Sequence, residues 1–236
     1  TADFKIDQTP VDGRLFDFPR LGQLGDEGVL VLLGDSTNAE REGFTPSESR
    51  VGEGLEPILR RARGRVMLAT FASHIHRIQQ ILNIAAANKK RVCLVGRSLL
   101  QYTKVAERLG RLTIPAGVLV EPKAAERVAP DRMVFVVTGS QGEPMSALSR
   151  IALDEHKEVK VGPGDQVIFS ARTIPGNEKS ISRVVNHLLK RGAEVLLDEG
   201  RDSIHVSGHA SQEELKIMLN LTRPRYFVPI HGEYRQ

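Results

Sequence analysis

The sequence has no tryptophan, a single cysteine and only 5% aromatic residues. With one cysteine no internal disulfide can form, and Cys93, inside the apolar run RVCLVG, reads as a small core residue rather than a nucleophile. The scarcity of aromatic rings means that a nucleic acid, if bound, would be held through its backbone more than by base stacking. No run of about eighteen apolar residues and no charged-then-apolar leader occurs, so neither a membrane span nor a signal peptide is predicted, and a reducing cytoplasm fits. Nucleotide-binding fingerprints are missing too: Gly52 and Gly54 fall inside a helix pattern, the GPG at 162–164 precedes a strand, and there is no Walker A motif. Neither sign of charge dominates, since 33 basic against 29 acidic residues leave a net +4, a weak indicator of an anionic partner.

What is present suffices for one large or two small domains: 236 residues, 40% hydrophobic and 26% charged. The chain begins at Thr1, within what reads as a strand-to-loop transition, and is expected to be a piece of a longer protein. Residues 11–26 carry Gly, Pro and Asp and read as a loop; Gly28–Leu33 is an apolar run of strand length that stops at Gly34-Asp35. From residue 45 onward the pattern alternates. Strands are predicted at Arg65–Thr70, Arg91–Val95, Met133–Val137, Gln166–Ser170 and Glu194–Leu197. Between them run helices opened by Ser47 and Glu48, capped by Ser73, then spanning about Leu99–Leu109, Met145–Ala152 and Asn177–Lys190. Such alternation implies right-handed crossovers, hence an α/β fold with a mostly parallel sheet covered by helices on both faces.

Candidate chemistry concentrates in residues 203–236. His209 and His231 each follow what reads as a strand running into a Gly-bearing turn, HVSGHAS and YFVPIHGEY, with a helix capped by Ser211 between them. A neutral imidazole there can ligate a metal and a protonated one can act as an acid. His205 reads as a packing or hydrogen-bonding residue. Asp35, directly after an apolar strand, suits either a catalytic role or a turn cap. Three further strand exits carry anion-binding chemistry: Ser73-His74, the turn with Gly139 and Ser140, and the ARTIPGNE segment with Arg172. On a parallel sheet these exits open on one edge, which is either a track for a polyanion or a solvated edge with ordinary helix caps.

TADFKID, LGDSTNAEREGFTPSE, FASHIHRIQQ, VTGSQGEP, IPGNE, HVSGHAS and PIHGEYR, in this order, cover nearly the whole chain. Together they resemble the β-CASP branch of the metallo-β-lactamase nucleases, and within it the ribonuclease J family. The resemblance implies a β-CASP insert over residues 45–205, with 1–44 and 206–236 as flanking pieces of a metallo-β-lactamase domain. It implies Asp3 as a bridging metal carboxylate and His231 as a zinc ligand. It further implies His209 as donor of a proton to the leaving oxygen and Asp35 as its orienting partner. Two zinc ions per active site are expected in the parent protein, with manganese or magnesium as alternatives. The expected activity is 5′-to-3′ exonuclease and endonuclease cleavage of single-stranded RNA in decay and maturation. The RNA would be 5′-monophosphorylated, with Ser140, Arg172 and Ser207 as phosphate contacts, and the parent a dimer or tetramer. The family's H-x-H-x-D-H cluster is not among these residues, so the chain alone is expected to be inactive and, without the family's small assembly domain, to oligomerise less. Two rival readings remain: a non-catalytic RNA-binding or assembly module of β-CASP type, and an unrelated α/β domain for a nucleotide or sugar phosphate.

Overall fold

The computed structural model describes residues 3–198 and 204–236. In chain order its elements are α1 (Phe18–Glu27), β1 (Val31–Asp35), α2 (Ser49–Arg61), β2 (Val66–Ala69), α3 (Ile75–Ala87), β3 (Arg91–Val95), α4 (Arg97–Arg108), α5 (Pro122–Ala125), β4 (Met133–Val137), α6 (Ala147–Ala152), β5 (Gln166–Phe169), α7 (Glu178–Lys190), β6 (Glu194–Leu196), α8 (Gln212–Thr222) and β7 (Tyr226–Ile230). The chain forms two compact units, Ser49–His205 and the discontinuous pair Thr1–Glu48 with Val206–Gln236.

The Ser49–His205 unit is a five-stranded sheet in the order β3-β4-β2-β5-β6, every neighbouring pair parallel. Its strands are dense in Val, Ile, Leu, Met and Phe because helices bury both faces, as the alternation predicts. Cys93 lies in this core, fully buried; burial, then the negative charges of Glu121 and Glu158, push its thiol up to about 12, so it stays a protonated apolar filler. Arg77 is also inside, only 1% exposed, donating from Nη1 to the Ser170 carbonyl at 2.6 Å and lying 3.0 Å from His205 Nδ1. That contact accounts for His205 as a hydrogen-bonding residue. Ser73 does not cap α3: the N-cap is His74, and the Ser73 carbonyl instead accepts from the Ile75 amide at 2.9 Å. Helix α6 begins at Ala147, two residues later than its periodicity suggested, because Ser146 caps it through the Ser149 amide.

In the discontinuous unit β1 and β7 pair in parallel, with Asp35 opposite Ile230. The segment read as a loop contains α1, because its breakers serve other purposes. Asp17 accepts from the Arg20 amide at 3.0 Å as an N-cap, and Pro19 sits in the first turn. Gly25 lets α1 approach α8 so closely that a Cβ there would meet the Leu221 carbonyl oxygen at 2.1 Å. Strand β1 starts at Val31 rather than Gly28, since Gly28, at φ +94°, ends α1. The stretch leading to His209 is no strand over 204–210; side chains rather than a ladder hold it.

Candidate active site

Two parallel strands ending side by side bring Asp35 and His231 to the same edge. Asp35 closes β1 and His231 follows β7, and the Ser36 amide and hydroxyl both donate to the Ile230 carbonyl, at 2.9 and 2.8 Å, to lock the two ends together. Gly34 permits this pairing: a Cβ there would stand 2.5 Å from the Phe227 ring. His231 occupies the left-handed region at φ +67°, a conformation that costs a non-glycine residue about 1 kcal/mol and recurs at functional turns.

The Asp35 carboxylate is completely buried and both of its oxygens are engaged. Oδ1 accepts from the Thr37 amide at 3.0 Å and the Thr37 hydroxyl at 2.8 Å, while Oδ2 lies 2.8 Å from His209 Nδ1. Burial alone would raise the carboxyl's pKa. The bonds from the Thr37 amide, His209 and the Thr37 hydroxyl, with the charge of His209, outweigh it and hold Asp35 below the usual carboxylate range. An anionic Asp35 fixes the proton of His209 on Nδ1 and leaves Nε2 as the working nitrogen.

His209 is held from behind by side chains of the same unit. Its carbonyl accepts from Asn38 Nδ2 at 3.1 Å and Thr45 Oγ1 at 2.7 Å, and its amide donates to Ser207 Oγ at 3.1 Å. Ser207 Oγ in turn accepts from Asn38 Nδ2 at 3.0 Å, which places Ser207 beside His209 as part of its support. Below this lies Glu214, fully buried, whose carboxylate accepts three amides: Ile6 at 2.7 Å, Thr45 at 2.6 Å and Ser211 at 2.8 Å. It joins the segment bearing Asp3, the loop after Asp35 and the start of α8 in one node. The S-x-x-E spacing from Ser211 to Glu214 is the sequence signal of this capping box.

Asp3 completes the cluster. Its Oδ1 lies 2.9 Å from His231 Nε2 and its Oδ2 3.9 Å from His209 Nε2, and the two imidazoles stand edge to face at 6.4 Å. Thus Asp3, Asp35, His209 and His231 converge although they span the chain. Asp3, Asp35 and His209 lie close enough to ligate one ion. Asp35, however, has both oxygens committed, so carboxylate oxygen from Asp3 and imidazole nitrogen from His231 form the better donor pair. Oxygen and nitrogen ligands of this kind suit zinc, though a zinc site requires about four.

The remaining sequence candidates belong to the other unit. Ser73 and His74 follow β2, Gly139 and Ser140 follow β4, and Arg172 follows β5. Since β4, β2 and β5 are adjacent and parallel, these exits share the carboxyl edge of the sheet. Arg172 is exposed there, whereas Ser140 is 2% exposed and its buried hydroxyl has no hydrogen-bond partner among the described residues, as is true of Thr70 on the neighbouring exit. Gly139 is at φ +111°, where a Cβ would meet Ser146 Oγ at 2.2 Å. Gln141, unremarked in the sequence, clips the edge: Nε2 donates to the Arg172 carbonyl at 2.9 Å and Oε1 accepts from the Ile174 amide at 2.9 Å.

A parallel α/β unit interrupting a second unit in which carboxylates and imidazoles converge is the layout of the β-CASP branch of the metallo-β-lactamase superfamily. The chain belongs to the ribonuclease J family of that branch, for a family model described as "Ribonuclease J, beta-CASP domain" matches residues 63–188. A second, "Zn-dependent metallo-hydrolase RNA specificity domain", matches residues 199–236. Among similar proteins, ribonuclease J of Synechocystis is 46% identical over 235 residues, all of this chain and 37% of the relative. That of Thermus thermophilus is 47% identical over 236 residues, all of this chain and 41% of the relative, and that of Mycobacterium tuberculosis 47% over 235 residues and 42% of the relative. The chain therefore spans about two fifths of the length of these proteins.

Proposed function

We propose that this chain is part of a zinc-dependent ribonuclease that hydrolyses single-stranded RNA, and that it supplies the residue protonating the departing oxygen. The observation that carries the reading is the 2.8 Å contact of His209 Nδ1 with the buried Asp35 carboxylate, with Nε2 on the side of Asp3 and His231. Asp35 holds His209 through Nδ1 and fixes the orientation of its ring. His209 then gives the Nε2 proton to the bridging oxygen as the phosphodiester bond breaks, and the resulting neutral ring recovers a proton from water. Asp3 and His231 are the residues that would hold zinc, which when bound supplies charge neutralisation on the phosphoryl oxygens and a hydroxide at neutral pH. The family's RNA-specificity description and the names of its relatives support RNA as the substrate.

On the same reading the parent prefers a 5′-monophosphate, acts both from the end and internally, and assembles as a dimer or tetramer. Arg172 and the neighbouring strand exits supply backbone contacts to the RNA, while Ser207 serves as support for His209. Among the described residues Asp3 and His231 are fewer donors than a zinc site needs, so the 236 residues alone are expected not to turn over. The test is release of nucleotides from a 5′-phosphorylated oligoribonucleotide by the longer protein. Chelation, Asp3→Ala and His231→Ala should each abolish it, with zinc content falling in both variants. Full activity with normal zinc content in either variant would contradict the assignment.

A further inference from the structure

Helix α7 carries a line of charge that neither the fold nor the proposed chemistry requires. Its buried side is Ile181, Val184 and Leu188. Facing away from the core, Lys179, Ser182, Arg183, Asn186, His187 and Lys190 line a shallow open trough of about 470 Å³. At 100° per residue, Lys179, Arg183 and Lys190 fall within about 40° of one another around the helix axis, spread over about 16 Å of its length. Glu178 is the acid at the rim, and its carboxylate is occupied with the Gly176 amide at 2.9 Å. Among the described residues, none of the three cations makes an ion pair.

Stability does not explain this arrangement. Lys179 and Arg183 are like charges at i and i+4, which repel on a helix, and Lys179 lies in the first turn, where the helix dipole disfavours a cation. Only His187 and Lys190, in the last turn, complement the dipole. The line also has a direction. The segment leaving β5 carries Arg172, and α7 begins six residues later at Glu178, so the helix runs from the carboxyl edge of the sheet toward the opposite edge. The four residues from Lys179 to Arg183 span about 6 Å, comparable to the step between successive phosphates of an extended strand, and the seven from Arg183 to Lys190 span about 10 Å, roughly two such steps.

We propose that the outer face of α7 is a second RNA-binding surface, a track for the backbone of a single strand whose 5′ portion is engaged elsewhere. This rests on the RNA reading above and adds to it a contact used only by longer substrates. Base stacking contributes little, since no Phe, Tyr or Trp lines the trough and His187 is its one ring. The contact is electrostatic and independent of sequence.

The test uses 5′-phosphorylated oligoribonucleotides of about six and about twenty nucleotides, measured by fluorescence anisotropy from 50 to 200 mM salt. The unaltered chain is compared with Lys179→Glu/Arg183→Glu/Lys190→Glu and with the corresponding triple Gln variant. The expected result is a loss of at least tenfold in affinity for the longer oligomer in the Glu variant. A smaller loss is expected in the Gln variant, and a salt slope shallower by about 2, from three phosphate contacts at about 0.7 each. The short oligomer should be unaffected, and the melting temperature of the Gln variant unchanged or raised, since repulsion is relieved. Unchanged affinity and slope for the longer oligomer would overturn the inference while leaving the RNA reading intact. So would equal, charge-dependent binding of polyglutamate, which would make the face a site for acidic protein. An unaltered chain that binds neither oligomer would remove the RNA reading and this inference with it.

Discussion

Asp35 and Glu214 are both fully buried carboxylates without a Lys or Arg partner among the described residues, and the difference between them is instructive. Asp35 binds Thr37 through one oxygen and aims His209 with the other, both of which keep it ionised; Glu214 spends its charge on three backbone amides. Replacing Glu214 by Gln presents an amide N–H to amides that need an acceptor. The expected cost is about 3–5 kcal/mol, or a fall in melting temperature on the order of 10 °C, measurable by calorimetry. A loss under 1 kcal/mol would mean that the node is not the anchor described. Asp7 gives the pH dependence of this unit. Burial would raise its pKa, but bonds from the Ser47 side chain and the Glu48 and Thr9 amides, with the charge of Lys5, carry it below the ordinary value. A lowered folded pKa means stabilisation that is present above the unfolded value of about 3.9 and is lost as pH falls through the folded one. Asp7→Asn should therefore be less stable than the unaltered chain at pH 7 and approach it below about pH 4 in denaturant titrations. A constant difference across that range would contradict the assignment.

At the scale of elements, β2 to β6 were legible almost residue by residue, because strands buried on both faces read as continuous apolar runs between helical periods. What escaped was decided by partners distant in sequence. Helix α1 reads as a loop since Gly22, Gly25 and Pro19 are breakers in isolation, yet Gly25 is the point where α1 meets the backbone of α8. Ala normally favours a helix over Gly by about 1 kcal/mol. Here Gly25→Ala is expected to destabilise by about 1–3 kcal/mol, because the obstacle is a backbone oxygen and not a movable side chain. A stabilised variant in thermal unfolding would show that the two helices separate easily. The same limit applies to the site. Asp35 and His231 were legible as strand-exit residues and Asp3 through family resemblance; His209 was singled out although no strand leads to it, and its support by Asn38 and Thr45 depends on contacts across more than 160 positions.

For the whole molecule, the two units differ in how they satisfy themselves. The five-stranded unit closes a core of its own, whereas β1 and β7 make a two-stranded sheet on which Val31, Leu33, Tyr226, Phe227 and Val228 are exposed. Two strands alone are marginal in water, and exposed apolar strand faces bind hydrophobic dyes or other chains. The 236-residue chain is accordingly expected to bind anilinonaphthalene sulfonate in its native state, the signal disappearing in the longer protein. No signal from the chain would mean that the face is covered.

The central claim is that His209, aimed by Asp35, protonates the oxygen that departs from phosphorus. It is tested most directly in the longer protein with two RNAs, one natural and one whose departing bridging oxygen is replaced by sulfur, a leaving atom that needs no proton. His209→Ala should slow cleavage of the natural RNA by about 10²–10⁴-fold and cleavage of the sulfur-bridged RNA by far less. An equal loss on both substrates would show that His209 does something other than donate a proton.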